Sequence, residues 1–217
     1  MKKLFLLLML PLVAFGVSGC AEKEPEVKNI IIMIGDGMGL AQASLTQIEN
    51  KYAPTAFDRA QNVALQKTYS ANNRVTDSAA SGTALATGHK TYNSAIGVDV
   101  DKNPVPSTRE LAQAAGYATG VVATYSVTNA TPASFVAHEE TRYAEDNIAL
   151  DYLEADIDLF IGGGTRFFME RRDGRNLAEE LKAKGFTVAT DMAELDGVTE
   201  GKVAALLAPN AMPTIGQ

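Results

Sequence analysis

The sequence predicts an α/β fold: a mostly parallel sheet with helices on both faces. Two observations carry that prediction. Short β-branched apolar runs end in glycine clusters, as at Ile30-Ile31-Ile32-Met33-Ile34-Gly35 and at Ile157 to Ile161 before Gly162-Gly163-Gly164. Segments with helix caps alternate with those runs, which is the pattern of a parallel sheet with crossover helices.

Each element follows from its residues. Asn29 to Ile34 reads as a central strand buried on both faces, and Leu40 to Glu49 as the helix after it. Val63 to Ser70 alternates like a strand. Ser78 to Ala86 is a helix stopped by Gly88. Ser107 to Ala115 opens on a Ser-Thr-Arg-Glu capping box, and Ala118 to Thr124 is a second buried strand. Pro132 to His138 and Tyr143 to Glu154 are helical. Ile157 to Ile161 is a strand, Leu177 to Lys184 a helix, Phe186 to Ala189 a strand, and Lys202 to Leu207 a last strand-like run.

The first residues read as an export signal. Lys2 and Lys3 precede an apolar stretch from Leu4 to Phe15, and Val17-Ser18-Gly19 leads into Cys20, the one cysteine of the 217 residues. That stretch is too short to span a bilayer. The expectation is a signal peptide over 1–19, a lipidated Cys20 with an acidic tether over 20–27, and a folded portion over 28–217. The protein would be exported and held on a membrane through Cys20, periplasmic or at the cell surface. One cysteine excludes an internal disulfide framework. A net charge of −7 argues against nucleic-acid binding, which relies on clustered Lys and Arg.

Three fragments could carry chemistry. In Val75-Thr76-Asp77-Ser78-Ala79-Ala80-Ser81 a reactive hydroxyl sits beside a carboxylate where a helix begins, and a phosphate is favoured there by the helix dipole and first-turn N–H groups. Asp77 alone would be an ordinary N-cap. Asp36, leaving an apolar run between glycines, needs a metal or a ring of donors, unless it is a turn aspartate bonded to its own backbone. Asn129-Ala130-Thr131-Pro132 precedes Arg142, whose fork holds two phosphate oxygens at once. Otherwise Arg142 is a surface arginine paired with Glu139 or Glu145. Neither His89 nor His138, the two histidines present, lies near Ser78 to act as its base.

Together these fragments resemble the alkaline phosphatase family, over roughly residues 28–217. The resemblance implies hydrolysis of small-molecule phosphate monoesters through a phosphoserine intermediate, at a site of two Zn²⁺ and one Mg²⁺, and allows a homodimer. It makes Ser78 the nucleophile and a zinc ligand, Arg142 the phosphate clamp, and Asp77 the residue that orients Arg142. Asp36 bridges zinc and magnesium, and Thr131 is a magnesium ligand. Asn129 departs from the aspartate of many members and brings an amide without negative charge; its oxygen either ligates the metal or orients a metal-bound water, or the residue belongs to the loop alone. The resemblance gives His89 and His138 structural or surface roles, since the family draws its zinc histidines from downstream segments. It also implies that the complete protein is a phosphatase and that this chain, an incomplete N-terminal portion lacking several metal ligands, is inactive by itself. The alternatives are a phosphodiesterase of the same superfamily and a phosphate-binding or vestigial fragment without turnover. A sulfatase would need a Cys/Ser-x-Pro-x-Arg segment, which Ser78 lacks.

Overall fold

The computed structural model describes residues 27–214. The proposed signal peptide and Cys20 lie outside the described residues. Residues 27–35 belong to one compact unit, and the chain from Asp36 onward forms another. The 27–35 stretch has no regular secondary structure, and Ile31 within it is 84% exposed. The strand expected over Asn29 to Ile34 is therefore absent. Val63 to Ser70 is not a strand either, with Val63 85% exposed. Both runs have β propensity, but propensity makes a strand only where a neighbouring strand completes the ladder, and none does among the described residues.

The second unit contains a four-stranded, wholly parallel sheet. Its strands are β1 (Gly120–Ser126), β2 (Leu159–Gly163), β3 (Phe186–Ala189) and β4 (Lys202–Leu206), in the order β1-β2-β4-β3. The helices are α1 (Leu40–Glu49), α2 (Ser78–Thr87), α3 (Thr108–Ala114), α4 (Ala130–Ala133), α5 (Glu145–Glu154), α6 (Thr165–Met169) and α7 (Leu177–Ala183). The α/β class and the parallel sheet are as predicted. β1, expected as a buried strand, is instead an edge strand with Val122 71% exposed.

Strand alternation sorts side chains between two clusters. Phe160, Ala204 and Leu206 pack with Ile148, Tyr152, Phe168 and Leu181 from α5, α6 and α7 in the larger core. Val203, Ala205 and Ala189 form a smaller cluster with Leu159, Ile161 and Leu195. Tyr152, fully buried, stands edge-on to Phe160 with ring centroids 5.0 Å apart. Burial pushes its phenol well above the ordinary range, so the hydroxyl stays protonated and donates to the Val127 carbonyl at 2.8 Å. That bond fixes the loop leaving β1, which carries Asn129 and Thr131.

The helix expected over Pro132 to His138 is not formed: α4 spans Ala130–Ala133, overlapping it only at Pro132 and Ala133, and a turn follows. Beyond Ser134 the chain tightens, with the Phe135 and Val136 N–H groups donating only three residues back, to the Pro132 and Ala133 carbonyls. α2 packs closely on α4, and Gly82 makes this contact feasible: a Cβ there would meet Ser134 Oγ at 2.8 Å. No helix among the described residues is long and apolar enough to cross a membrane.

Candidate active site

The N-terminus of α2 is built by Asp77. Its backbone is extended, and its Oδ1 accepts the Ala80 N–H at 2.9 Å, the bond expected of an N-cap. At the far end Gly88 takes a left-handed φ of 75° and closes the helix. Ser78 is the first helical residue, so its hydroxyl stands at the positive end of a ten-residue helix. The close packing of α2 on α4 brings this end near the loop after β1.

Two hydrogen-bonded groups form there. In the first, the Asp36 carboxylate receives two hydroxyls: Ser78 Oγ donates to Oδ1 at 3.0 Å, and Thr131 Oγ1 donates to Oδ2 at 2.8 Å. In the second, Arg142 spreads its guanidinium between Asp77 and Asn129. Nη1 donates to Asp77 Oδ2 and Nη2 to Asn129 Oδ1, each at 3.4 Å. Asn129 occupies the N-cap position of α4 but makes no capping bond with its side chain, which turns to the arginine instead. Asp77 and Ser78 are adjacent in the chain and join the two groups. All six residues singled out from the sequence thus meet in one place, although Thr131 lies 95 positions from Asp36. Arg142 does not pair with Glu139 or Glu145. The Glu145 carboxylate accepts from Thr128 Oγ1 at 2.7 Å.

The histidines stand outside this constellation. His138 faces the Gly97 carbonyl through Nδ1 at 2.6 Å and Glu110 through Nε2 at 3.1 Å. His89 is exposed and faces the Thr87 carbonyl. The strand expected to end at Ile161 runs on through Gly162 and Gly163, and Gly164 alone makes the turn into α6.

Sequence reasoning missed Asn93 and Ser94. Asn93 Oδ1 accepts the Asp77 N–H at 3.2 Å, and the Ser94 N–H donates to Asp77 Oδ2 at 3.0 Å. The turn-forming Asn-Ser pair was the only available signal, and it does not say that the turn reaches back to residue 77.

The donor set bears on the metals. Asp36, Ser78 and Thr131 offer one carboxylate and two hydroxyl oxygens, hard donors that suit part of a Mg²⁺ shell. A zinc centre draws on three or four His, Cys or carboxylate ligands. Among the described residues no three His, Cys, Asp or Glu are grouped to hold a metal ion. These residues fit a share of a cation site and not a complete zinc centre.

A family model for alkaline phosphatase matches residues 27–214. The chain belongs to the alkaline phosphatase family. Among the family's characterised members, alkaline phosphatase 3 of Bacillus subtilis is 40% identical over 204 residues, covering 88% of this chain and 44% of that protein. The Escherichia coli alkaline phosphatase is 36% identical, covering 82% of this chain and 45% of its own length. The solved alkaline phosphatase of the Antarctic bacterium TAB5 superposes with a TM-score of 0.79 at 42% identity, over 83% of this chain and 53% of that one. A variant of the TAB5 enzyme is described with Mg bound. The chain spans about half the length of the alkaline phosphatases it matches.

Proposed function

We propose that this chain carries the nucleophile and phosphate-clamp half of a phosphomonoesterase. The observation that supports it is the joint placement of Ser78 on Asp36 and of Arg142 between Asp77 and Asn129, in a member of this family. Arg142 would hold two oxygens of the phosphoryl group through its fork, and the first turn of α2 would add dipole stabilisation. Ser78 Oγ attacks phosphorus in line as the ester P–O bond breaks. The serine proton passes to solvent and the departing alcohol takes one up from solvent; water then attacks the phosphoserine, restoring the Ser78 hydroxyl and releasing phosphate. Asp36 Oδ1, already accepting the Ser78 hydroxyl, aims Oγ and favours loss of its proton. Most of the acceleration is positioning and charge neutralisation.

Zn²⁺ and Mg²⁺, when bound, supply Lewis acidity that lowers the proton affinity of hydroxyl oxygens and offsets phosphate charge. Asp36, Ser78 and Thr131 would supply this chain's ligands to them. Asn129, engaged by Arg142, would orient the clamp more than it would hold magnesium. Two zincs and one magnesium require further ligands, so the chain by itself would bind phosphate without turning over esters at a family-like rate. Export and lipid attachment through Cys20, with action on the outer side of a membrane, complete the proposal.

A second reading, phosphate binding without catalysis, is favoured by one observation: the described residues hold no group of three His, Cys, Asp or Glu side chains. Assay of the purified chain with Zn²⁺ and Mg²⁺ on a phosphate monoester and a diester tests the proposal. Monoester turnover by the chain alone would contradict the inactive-portion reading, and a diester preference would overturn the substrate class.

A further inference from the structure

The two arms of the site, α2 and the segment carrying Arg142, converge on a turn that neither motif includes. Tyr92 to Ala95 closes a tight turn through Ala95 N–H on the Tyr92 carbonyl. Within it Asn93 straddles Thr76: its Oδ1 accepts the Asp77 N–H at 3.2 Å, and its Nδ2 donates to the Val75 carbonyl at 3.0 Å. The Asn93 N–H is itself tied to Asn72 Oδ1 at 3.0 Å. Ser94 works through its backbone alone. Its N–H donates to Asp77 Oδ2, the same oxygen that faces Arg142 Nη1, and its carbonyl accepts the Arg142 N–H at 2.8 Å. Ser94 makes both bonds at a φ of 78°, in the left-handed region that a serine adopts at a cost.

We propose that the Asn93–Ser94 turn is the positioning element of the phosphate clamp, setting Asp77 and Arg142 in register with Ser78. This rests on the reading of Ser78 and Arg142 as the phosphate site. The turn touches no reacting atom. It ties the start of the serine helix to the backbone of the arginine, two segments 65 residues apart in sequence. Pinning both sides of Thr76 fixes where α2 starts, and the shared Asp77 oxygen fixes where the guanidinium points. Because the Ser94 contacts are backbone bonds, glycine at 94 keeps them and relaxes the conformation, whereas removal of the Asn93 amide breaks two bonds at once.

The test uses the purified chain with two independent readouts. One is the Arg142 Nε–H NMR resonance, assigned by its loss in Arg142→Lys; the other is affinity for inorganic phosphate. Asn93→Ala should move the Arg142 resonance toward that of a freely rotating arginine and weaken phosphate binding about tenfold, the effect of losing one or two neutral hydrogen bonds. Ser94→Gly should leave both close to wild type. Asn93→Asp, which keeps the acceptor for Asp77 N–H and loses the donor to Val75, should fall between them and serves if Asn93→Ala does not fold. An unmoved Arg142 resonance with unchanged phosphate affinity in Asn93→Ala would overturn the proposal. Should the wild-type chain bind no phosphate while Asn93→Ala still releases Arg142, the positioning role stands and the phosphate reading fails.

Discussion

Arg142 meets Asp77 at 3.4 Å, although 65 positions separate them, and the same carboxylate caps the helix that begins with Ser78. One side chain therefore serves the helix and the clamp together. The two roles separate by substitution. Asp77→Asn keeps an oxygen for the Ala80 N–H but sets an NH2 group against the Ser94 N–H and Arg142. Asp77→Ala removes the cap as well. Chemical denaturation should show Asp77→Ala destabilised by about 1–2 kcal/mol, with Asp77→Asn, which keeps the cap, losing less.

Asp36 has each of its carboxylate oxygens on a hydroxyl. If these donors supply part of a cation shell, calorimetric titration with Mg²⁺ should detect binding to the wild-type chain, weakened about tenfold or more by Asp36→Asn, which removes the only formal charge among them. Thr131→Val should weaken it less. Equal Mg²⁺ affinity in all three proteins would remove Asp36 from the cation site.

The α2–α4 contact has no room for a methyl group at Gly82. Gly82→Ala should destabilise the fold by about 1–3 kcal/mol as an overpacked site, and α2 should shift relative to Thr131. Gly88→Ala meets open space but sits at φ 75°, so its cost is the left-handed strain alone, about 1–2 kcal/mol. Denaturation midpoints compare the two.

Asp151 carries the clearest pH signature. Burial raises its carboxyl above the ordinary 3.8, against the opposing His138 N–H, and Glu139 is raised in turn by its own burial and by Asp151. A raised acid binds more protons folded than unfolded, so stability falls as pH climbs from 3.8 through the folded-state value and stays lower above it. Asp151→Asn, which can still accept the His138 N–H, should flatten that fall and stabilise the chain at neutral pH. Unfolding free energies measured between acid and neutral pH decide this; an unchanged slope would contradict it.

Local signals were legible where chemistry is local. Asp77, the Ser107–Glu110 capping box and Gly88 mark helix ends that the structure reproduces, and the strands expected over 186–189 and 202–207 form at 186–189 and 202–206. The six residues that the structure draws together were singled out because their motifs are specific. The runs at 29–34 and 63–70 were misread because a strand is a property of a pair, and no sequence window shows whether the partner is present. Ser94 was invisible for another reason: a serine at positive φ follows from the bonds it must make, and nothing in its neighbours announces them.

The proposed phosphate site is formed by Arg142 and the Ser78 end of α2. Titration of the purified chain with inorganic phosphate, wild type against Arg142→Ala and Arg142→Lys, tests it most directly. Saturable binding that falls about tenfold to a hundredfold in Arg142→Ala, and is not restored by lysine because the fork is lost, is the predicted result. Absence of binding in the wild type, or equal affinity in all three proteins, would contradict the account.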